Sequence, residues 1–362
     1  MDRKKVMIGM SGGVDSSVAA ALLLEQGYEV VGATLKLWDD KSEECGQLSG
    51  GCCSLDDVND ARMVAFKLGI PHYVLNFKDV FRRNVVDYFV EEYLEGRTPN
   101  PCIACNRLIK FEGLLDKAKA MGFDFIATGH YARIDRNPVS GRMELHRGSF
   151  YNKDQSYVLY NFSQEQLSRT LMPLGDISKD MTREIAAKHH FSVAAKPDSQ
   201  EICFVPDKDY AKFIENYTGI QSVPGNFIDK SGQILGTHKG IRYFTVGQRK
   251  GLGIAFGKPM FVSKIDPASN EVTLGEEQEI FKTALTAGNL NYIEIPSLEG
   301  SIEIQAKIRY SAQPAAAILS PLTENTVKVL FEQPQRAITP GQSVVFYRGD
   351  SVVGGGTILA DT

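Results

Sequence analysis

The strongest constraint on the fold is the junction between an apolar strand and a glycine-rich loop near the start of the sequence. Val6–Met10 predicts a buried strand, and the run SGGVDSS follows it directly at residues 11–17. Consecutive glycines let the backbone take positive φ values and approach a ligand closely. The next residues predict a helix whose apolar face includes Val18 and Leu22 and which stops at Gly27. Such a helix directs its free N–H groups and the positive end of its dipole at the loop, which indicates a phosphate or pyrophosphate site.

The loop differs from the GxxxxGK[ST] loop of kinases and GTPases, because no lysine follows its glycines to reach the terminal phosphates. It resembles the SGGxDS signature of the PP-loop ATP pyrophosphatases. Enzymes of that superfamily cut ATP between its α and β phosphates and leave AMP on an acceptor. The alternative is a plain tight turn, which the hydroxyls and the carboxylate at these spacings argue against.

Length and composition indicate a soluble protein of two or three domains, because 362 residues can bury a sizeable core and no long apolar run is present. The first residues lack the apolar segment of a signal peptide, so we expect a cytoplasmic protein without a membrane anchor. In that compartment the six cysteines are expected to be reduced thiols, ligands or catalysts rather than structural bridges.

The charge is unevenly distributed. A formal net charge of −4 argues against a generic nucleic-acid binder, yet residues 230–264 contain no Asp or Glu. Within them Lys239, Arg242, Arg249, Lys250 and Lys258 alternate with aromatic residues and glycines. The stretch is typical of a local footprint for a polyanion. A solvated hairpin face is the alternative.

The first half of the chain alternates strand and helix patterns, which predicts an α/β fold with a Rossmann-like parallel sheet and helices on both faces. Further strands are predicted at Tyr28–Leu37, His72–Phe77 and Phe125–Thr128. Helices are predicted at Leu55–Leu68, with Ser54 as its N-cap and Asp57 at N3, through Val85, Tyr88, Phe89 and Tyr93, around Ile109, Leu114 and Leu115, at Gln164–Leu171 and at Lys179–His189. Ligands of such folds bind beyond the carboxyl ends of the strands, where the loop at Ser11 and Gly129-His130-Tyr131 both lie.

After about Asp207 the pattern changes to short β-like runs separated by Gly, Pro, Asn and Asp. Strands of a small barrel or sandwich are predicted at Ile302–Arg309, Ala316–Leu319, Thr326–Phe331 and Ser343–Tyr347. We therefore predict three domains: an ATP-binding catalytic domain at 1–210, a small, mostly β, tRNA-binding central domain at 211–283, and a β-barrel domain at 284–362.

The second informative segment is RTPNPCIACN, at residues 97–106. A helix pattern begins just after its prolines, which places Cys102 near a cap and Cys105 in or near the first turn. A thiol at a helix N-terminus has a lowered pKa and is more often a thiolate. A distant cysteine, Cys203, lies in KPDSQEICF. A thioredoxin-like redox pair, half of a zinc site and a merely buried Cys203 are the alternatives. The lack of a second C-x-x-C pair and of well-spaced histidines weakens zinc.

Eight motifs together resemble those of the bacterial tRNA 2-thiouridylases: SGGVDSS, RTPNPCIACNRLIKF, ATGHYAR, KDQSYVLY, KPDSQEICF, TVGQRKGLGI, KIRYSAQP and ITPGQSVVFY. They span nearly the whole chain. These enzymes replace the 2-oxygen of the wobble uridine in certain tRNAs by sulfur. The resemblance implies ATP and Mg²⁺ as cofactors, and the anticodon stem-loop of tRNA and a sulfur-donor protein (a cysteine desulfurase or a sulfur-relay protein) as partners.

The resemblance also assigns residues. The implied ATP-binding residues are Gly9, Met10, Ser11, Gly12, Gly13, Val14, Asp15, Ser16 and Leu35, with Gly129 near the adenosine. Cys203 is implied as the carrier of a persulfide and Cys105 as the nucleophile or resolving thiol that ends in a disulfide with Cys203. The implied tRNA contacts are Asn100, Pro101 and Cys102 around the target base, His130 nearby, and Lys153, Asp154, Gln155, Arg309, Tyr310 and Gln342. For His130, a loop histidine with only a structural role is the alternative.

Two positions depart from the family pattern, which often has Met at Leu35 and Asp at Cys102. The second departure leaves three thiols, Cys102, Cys105 and Cys203, as candidate catalytic residues. Three thiolates are also the ligand set of a four-iron–four-sulfur cluster with one open iron, which is a hypothesis for sulfur delivery. Cys45, Cys52 and Cys53 form a second group, which we interpret as part of a non-catalytic loop near the nucleotide.

The leading hypothesis is therefore an ATP-dependent sulfur transferase acting on tRNA. One alternative is another AMP-forming ligase with the same loop, such as a lysidine-forming or amidating enzyme, which needs no paired cysteines. Another is a nucleotide-gated RNA-binding protein without chemistry, which leaves Cys105 and Cys203 without a role.

Overall fold

The computed structural model describes residues 3–38, 55–198, 202–205, 207–255 and 257–360. The chain forms two compact units. The first comprises Met1–Val86, Cys102–Lys208 and Asp350–Val352, and the second comprises Asp87–Pro101, Asp209–Gly349 and Val353–Thr362. The predictions that concern Cys45, Cys52, Cys53 and Ser54 lie outside the described residues.

A five-stranded sheet forms the centre of the first unit. The strands of this unit are β1 (Lys5–Gly9), β2 (Glu29–Lys36), β3 (His72–Asn76), β4 (Phe125–Ala127), β5 (Ala132–Arg136), β6 (Met143–Arg147) and β7 (Thr170–Leu171). The sheet has the order β3-β2-β1-β4-β7, and every neighbouring pair in it is parallel. This confirms the predicted α/β class and places β1, the strand before the glycine-rich loop, in the middle of the sheet.

The described residues also form α-helices, of which α4 and α9 belong to the second unit. They are α1 (Val14–Glu25), α2 (Leu55–Leu68), α3 (Lys78–Phe81), α4 (Tyr88–Leu94), α5 (Pro101–Ala104), α6 (Leu114–Ala120), α7 (Gln164–Ser168), α8 (Lys179–Lys188) and α9 (Tyr210–Thr218). Two π-helical segments, Arg82–Asp87 and Cys105–Gly113, connect α3 to α4 and α5 to α6. The chain from Pro101 to Ala120 is therefore helical throughout, with a widened middle.

The buried side chains agree with the strand and helix that the sequence predicts around the glycine-rich loop. Val6 and Ile8 of β1 are fully buried, and so are Val18 and Leu23 of α1, which pack in the same apolar cluster. Burying a side chain of this size stabilises the fold by about 1.5–3 kcal/mol. The glycine-rich loop is thus held between two buried elements.

The predicted helix Gln164–Leu171 is wrong at its C-terminal end. The helix stops at Ser168, and Thr170 and Leu171 form β7, which pairs with Ile126 and Ala127 of β4. Backbone pairing of Thr170 and Leu171 with β4 outweighs the local helical pattern at these residues. The antiparallel hairpin of β5 and β6, which the sequence analysis did not predict, precedes this segment.

The second unit contains two β structures. The first is a four-stranded sheet of β8 (Gly225–Ile228), β9 (Ile234–His238), β10 (Phe261–Asp266) and β11 (Glu271–Gly275), in the order β10-β11-β8-β9. Its buried side chains include Phe227, Val262 and Val272. This sheet corresponds to the small, mostly β element that the sequence pattern predicts.

The second β structure is a closed barrel. Its strands are β12 (Phe281–Tyr292), β13 (Ile302–Lys307), β14 (Ala315–Thr323), β15 (Thr326–Arg336), β16 (Ser343–Arg348) and β17 (Ser351–Ile358). Strand β12 pairs with both β15 and β17, which closes the barrel. The predicted barrel is confirmed. Strands β13 and β16 end within two residues of their predicted ends, whereas β14 and β15 extend four or five residues beyond theirs. No helix in the described part of the chain is long and apolar enough to cross a membrane.

Candidate active site

The turn between β1 and α1 requires glycine. Gly12 has φ +70°, and a Cβ at this position would lie 2.2 Å from the carbonyl oxygen of Asp57 in α2. Gly13 has an extended backbone (φ −99°) and is the N-cap of α1. Only Gly12 therefore needs the positive φ that glycine adopts without strain. Gly13 lies at the N-terminus of α1, where the absence of a side chain leaves the helix end accessible.

Serine hydroxyls hold the loop in shape. The backbone N–H of Ser11 donates to Oγ of Ser16 at 3.2 Å, and Oγ of Ser17 donates to the carbonyl oxygen of Gly13 at 2.8 Å. The N-cap residue Gly13 has no side chain that could cap the helix. The first N–H groups of α1 therefore point at the loop, the arrangement that binds phosphate in other proteins.

Gly129 packs directly on the start of α1. A Cβ at Gly129 would lie 2.6 Å from the backbone nitrogen of Ser16 and 2.7 Å from the carbonyl carbon of Asp15. Only glycine fits this contact without displacing backbone. The carboxyl end of β4 is thereby brought against the loop, as expected for a site at the carboxyl ends of parallel strands.

A pocket opens beside this contact. It is lined by Gly9, Met10, Ser11, Asp15, Ser16, Ala33, Leu35, Lys110, Leu114, Thr128, Gly129, His130 and Gln155. The loop residues and Lys110 supply polar and charged groups, whereas Ala33, Leu35 and Leu114 supply an apolar wall. This combination suits a nucleotide, whose phosphates need donors and whose base needs an apolar surface. Of the predicted ATP-binding residues, seven line the pocket, and Gly12, Gly13 and Val14 complete the loop.

The carboxylate of Asp15 is held by a lysine from a remote helix. Nζ of Lys179, the first residue of α8, lies 2.7 and 2.9 Å from the two carboxylate oxygens of Asp15, and the hydroxyl of Tyr131 donates to the same carboxylate at 2.7 Å. The Lys179 side chain is only 10% exposed. The loop, which lacks a lysine of its own, therefore receives a cation from 164 residues further along the chain.

Asp198 continues this network. One of its oxygens lies 2.6 Å from Nζ of Lys179, and the other accepts a hydrogen bond from Nζ of Lys153 at 2.9 Å. Burial opposes ionisation of Asp198, but the hydrogen bonds from Lys179 and Lys153 outweigh it and hold its pKa below the ordinary value. Asp198 is therefore a carboxylate at neutral pH.

Lys196 anchors the same segment to the loop. Its ammonium group donates to the carbonyl oxygen of Gly12 at 3.1 Å and to carboxylates of Asp57 at 2.7 Å and Asp60 at 2.6 Å. Burial disfavours the charged lysine, but the hydrogen bonds to Asp57 and Asp60 prevail, so the pKa of Lys196 is raised. The lysine stays protonated and ties the residues before Cys203 to the nucleotide loop.

Cys102 and Cys105 lie where an α-helical turn changes into a π-helix. Cys102 is the second residue of α5 and is exposed, while Cys105 is the first residue of the π-helical segment and is buried. Single turns of π-helix are rare and frequently occur at functional sites. Lys110, in the same segment, and Leu114, just after it, both line the nucleotide pocket. One continuous helix thus carries Cys105 and part of the pocket wall.

Cys203 is partly exposed and lies beside an aromatic cluster. Its neighbour Phe204 is 1% exposed, and the ring of Phe204 lies 5.8 Å from Phe81 and 6.1 Å from Trp38. Asp198 precedes Cys203 by five residues, so their Cα atoms are at most about 19 Å apart, at 3.8 Å per residue. Chain length therefore limits how far Cys203 can lie from the network of Asp15, Lys179 and Asp198.

The three candidate thiols do not form a metal site in this structure. Within the described residues, which include Cys102, Cys105 and Cys203, no three His, Cys, Asp or Glu side chains are grouped so that they could hold a metal ion. The three-cysteine cluster is therefore not confirmed and stays a hypothesis.

His130 is buried against the nucleotide pocket. Its Nδ1 lies 2.8 Å from Oγ1 of Thr128, and its ring centroid lies 5.6 Å from that of Phe111. Burial lowers its pKa well below the ordinary value, and the charge of Lys110 lowers it further. The imidazole is therefore neutral at pH 7 and serves as a hydrogen-bonding group rather than a cation.

The three consecutive residues predicted to contact tRNA have different environments. Lys153 is about one-third exposed and pairs with Asp198. Asp154 is buried and accepts hydrogen bonds from the backbone N–H groups of Gly148 and Ser156 and from the Ser156 hydroxyl. Gln155 lines the nucleotide pocket and accepts a hydrogen bond from the N–H of Tyr131 at 3.0 Å. Asp154 thus shapes the turn that presents its two neighbours.

Other predicted tRNA contacts lie in the second unit. Nε2 of Gln342 donates to the carbonyl oxygens of Thr98 at 2.8 Å and Pro99 at 3.3 Å, which brings Gln342 next to Asn100 and Pro101. Arg309 donates to the carbonyl oxygen of Arg336. Tyr310 is 46% exposed, with Nζ of Lys307 5.4 Å from its ring centroid.

Part of the cationic stretch at 230–264 is neutralised locally. Lys230 pairs with Glu279 at 2.7 Å, and Lys258 pairs with Glu276 at 2.5 Å. Arg249 and Lys250 are exposed in a turn in which Nε2 of Gln248 donates to the carbonyl oxygen of Lys250. Only part of the positive charge read from the sequence is therefore available to an anionic partner.

Sequence reasoning missed several residues of the site: Tyr131, Lys179, Lys196, Asp198 and Lys110. Lys110, Tyr131, Lys196 and Asp198 lie inside motifs that carried the resemblance, so proximity to a motif was a usable signal for them. Lys179 offered no such signal, because only the fold places α8 beside the loop.

Three family models match the chain in succession. They are described as the tRNA methyl transferase HUP domain at residues 4–207, the tRNA methyl transferase PRC-barrel domain at 211–276 and the aminomethyltransferase beta-barrel domain at 282–358. Together they account for the parallel-sheet unit, the small β sheet and the closed barrel.

Close relatives match over their full length. A protein of Acetivibrio thermocellus named tRNA-specific 2-thiouridylase MnmA is 59% identical over 99% of this chain and 100% of its own length. Proteins of the same name are 57% identical in Carboxydothermus hydrogenoformans and 56% identical in Clostridioides difficile, each over 98% of both chains.

Proposed function

We infer the function from the premise that this chain belongs to the family of the tRNA-specific 2-thiouridylases. It is an enzyme that forms 2-thiouridine in tRNA. We propose that it adenylates the 2-carbonyl oxygen of the wobble uridine and replaces that oxygen with sulfur from a cysteine persulfide. One observation carries this proposal: the first unit contains the nucleotide pocket, the helix that carries Cys105 and forms part of the pocket wall, and Cys203. Lys196 and Asp198, which precede Cys203 in the chain, are tied to the nucleotide loop by ion pairs and hydrogen bonds.

Adenylation solves a leaving-group problem. The 2-carbonyl oxygen of a pyrimidine leaves poorly, but as part of AMP it leaves readily. The loop at residues 11–17 and the N-terminus of α1 would bind the phosphates, and Leu35 and Gly129 would face the adenosine. Lys110, a cation in the pocket wall, would stabilise the charge that develops as the phosphoryl group moves.

ATP enters such enzymes with Mg²⁺, which neutralises phosphate charge. Mg²⁺ is usually held by one or two carboxylates together with substrate phosphates and waters. Asp15 would supply such a carboxylate, because it lines the pocket beside the glycine-rich loop. Asp15 is the residue we assign to hold the metal.

The sulfur step uses two thiols as the source of electrons. A persulfide on Cys203 contributes its outer sulfur to C2 of the uridine, and AMP departs with the former 2-oxygen. The thiolate of Cys105 attacks the inner sulfur of Cys203, which breaks the sulfur–sulfur bond and leaves the outer sulfur on the base. The two cysteines end as a disulfide, which a cellular thiol reduces before the next turnover. No step is assigned to an iron–sulfur cluster.

The remaining residues and partners complete the proposal. The target base would be flipped from the anticodon loop and contacted by Asn100, Pro101, Cys102 and His130. The RNA would be contacted by Lys153, Asp154, Gln155, Arg309, Tyr310 and Gln342. A cysteine desulfurase or sulfur-relay protein would load Cys203. The cytoplasm is the compartment we assign, since thiols stay reduced there.

Nucleoside analysis tests this function. The purified protein is incubated with a tRNA transcript bearing a wobble uridine, Mg²⁺-ATP, a cysteine desulfurase, cysteine and a thiol reductant. We expect 2-thiouridine by mass spectrometry, with one AMP and one pyrophosphate formed for each sulfur inserted. Lysidine, a methylated nucleoside or an unchanged uridine despite an active desulfurase would contradict the proposal.

A further inference from the structure

Asp198 lies where three segments of the first unit meet. Lys179 connects it to Asp15 of the nucleotide loop, with Nζ 2.6 Å from Asp198 and 2.7 Å from Asp15. Lys153 connects it to the turn at 153–155, with a hydrogen bond of 2.9 Å. Asp198 itself belongs to the segment that leads to Cys203. One carboxylate therefore joins the elements assigned to nucleotide, RNA and sulfur.

A second anchor lies two residues earlier. Lys196 donates to the carbonyl oxygen of Gly12 and pairs with Asp57 and Asp60 of α2. Pro197 separates the two anchors, and its ring fixes φ near −65°, which limits how they can move relative to each other. The segment is thus fastened to both ends of the turn that contains Gly12 and Asp15.

The far side of Cys203 is fastened as well. Phe204 is buried against Phe81 and Trp38, the second of which lies two residues after β2. In the sequence, Cys203 follows the electrostatic anchor at Asp198 by five residues and directly precedes the apolar anchor at Phe204. Loss of the first anchor would leave this part of the chain attached at Lys196 and Phe204 only.

From this geometry we propose that Asp198 is a positioning residue for the sulfur-transfer step. Through Lys179 it fixes the segment that carries Cys203 relative to the nucleotide loop, and through Lys153 it fixes the same segment relative to the RNA-contacting turn. This inference rests on the proposed function. It assigns Asp198 no contact with ATP or with the uridine.

The ion pairs of Lys179 explain why the loss of the Asp198 charge should affect sulfur transfer and not adenylation. When Asp198 loses its charge, Lys179 keeps its two contacts with Asp15, so the nucleotide loop retains its shape. The Cys203 segment loses two ammonium partners at once. Adenylation should therefore persist while delivery of sulfur slows.

The Asp198→Asn enzyme tests this with two readouts in single-turnover reactions with tRNA and the persulfide-loaded enzyme. We expect the rate of pyrophosphate release to stay within about twofold of wild type, and the rate of 2-thiouridine formation to fall at least about tenfold, equivalent to 1.4 kcal/mol. Lys179→Met should slow both steps, because it also removes the partner of Asp15. Asp198→Glu, which keeps the charge, should recover most of the sulfur-transfer rate.

Asp176→Asn is the matched control, since it removes an exposed carboxylate that lies 3.8 Å from Arg133 in the same unit, and both rates should stay at wild-type values. Equal loss of both steps in Asp198→Asn, or loss of neither, overturns the inference. If Asp198→Asn does not fold, Asp198→Glu decides. Its side chain is one methylene longer, so its remaining loss should fall on 2-thiouridine formation and not on pyrophosphate release. Equal loss of both rates in folded Asp198→Glu, or loss of neither, then overturns the inference. A wild-type enzyme that forms no 2-thiouridine instead overturns the proposed function.

Discussion

The Cys203→Ser enzyme is expected to form no measurable 2-thiouridine while still releasing pyrophosphate in the presence of tRNA and ATP. A serine hydroxyl cannot carry a sulfane sulfur, so the atom that replaces the uridine oxygen never reaches the site. Removing a nucleophile of this kind typically lowers kcat by about 10³-fold or more. The pyrophosphate step survives, because the pocket is built from the loop at 11–17 and from Gly129 without any contribution from Cys203.

Cys105→Ser should give the same loss of product for a different reason. Cys203 would still accept sulfur and attack C2 of the uridine, but no thiolate would break the sulfur–sulfur bond. Cys203 joined to the uridine through a disulfide should therefore accumulate when tRNA is present, and the Cys203 persulfide when tRNA is absent. Mass spectrometry of the alkylated protein distinguishes the two variants, and Cys45→Ser is the matched control with wild-type product. Substantial 2-thiouridine from either Cys105→Ser or Cys203→Ser would remove the assigned roles.

The second large effect is expected for Gly129→Ala. The added Cβ would lie 2.6 Å from the backbone nitrogen of Ser16 and 2.7 Å from the carbonyl carbon of Asp15, and backbone cannot rotate away as a side chain can. Overpacking of this kind costs about 1–3 kcal/mol. Because the displaced atoms belong to the first turn of α1, the cost falls on the phosphate-binding loop. We expect the Kd for ATP to rise at least about tenfold, and the free energy of unfolding to fall by about 1–3 kcal/mol.

Calorimetric titration with ATP and urea unfolding measure these two quantities. Gly300→Ala is the control, because a Cβ there meets no atom within 4 Å, and both values should stay at wild-type levels. Wild-type ATP affinity in Gly129→Ala would contradict the role of the contact between Gly129 and α1.

Local patterns were sufficient for the elements that bury a continuous apolar face. The strand before Ser11, the helix after it and the alternation that follows were predicted, because each apolar run is bounded by glycine or polar loop residues. Thr170 and Leu171 were misassigned, since their strand exists only through pairing with β4. The π-helical segment at Cys105–Gly113 also lacks a sequence pattern that separates it from an α-helix.

The residues of the site that lie in a contiguous motif could be predicted from the sequence. The ion pairs between residues that are distant in the sequence could not. SGGVDSS indicates a phosphate site by itself, because its glycines and hydroxyls act through the local backbone. The contact of Lys179 with Asp15 depends on α8 packing beside α1, which no local pattern specifies. Lys196 and Asp198 stood in a motif chosen for Cys203, yet their partners Gly12, Asp57 and Lys179 could be found only in three dimensions.

The fate of the uridine 2-oxygen tests the central claim most directly. A tRNA substrate carrying ¹⁸O at C2 of the wobble uridine is converted in ordinary water with unlabelled ATP, and the AMP is examined by mass spectrometry. If AMP is transferred onto that oxygen before sulfur displaces it, each 2-thiouridine formed should be matched by one AMP bearing one ¹⁸O. Unlabelled AMP alongside full conversion to 2-thiouridine would contradict the account.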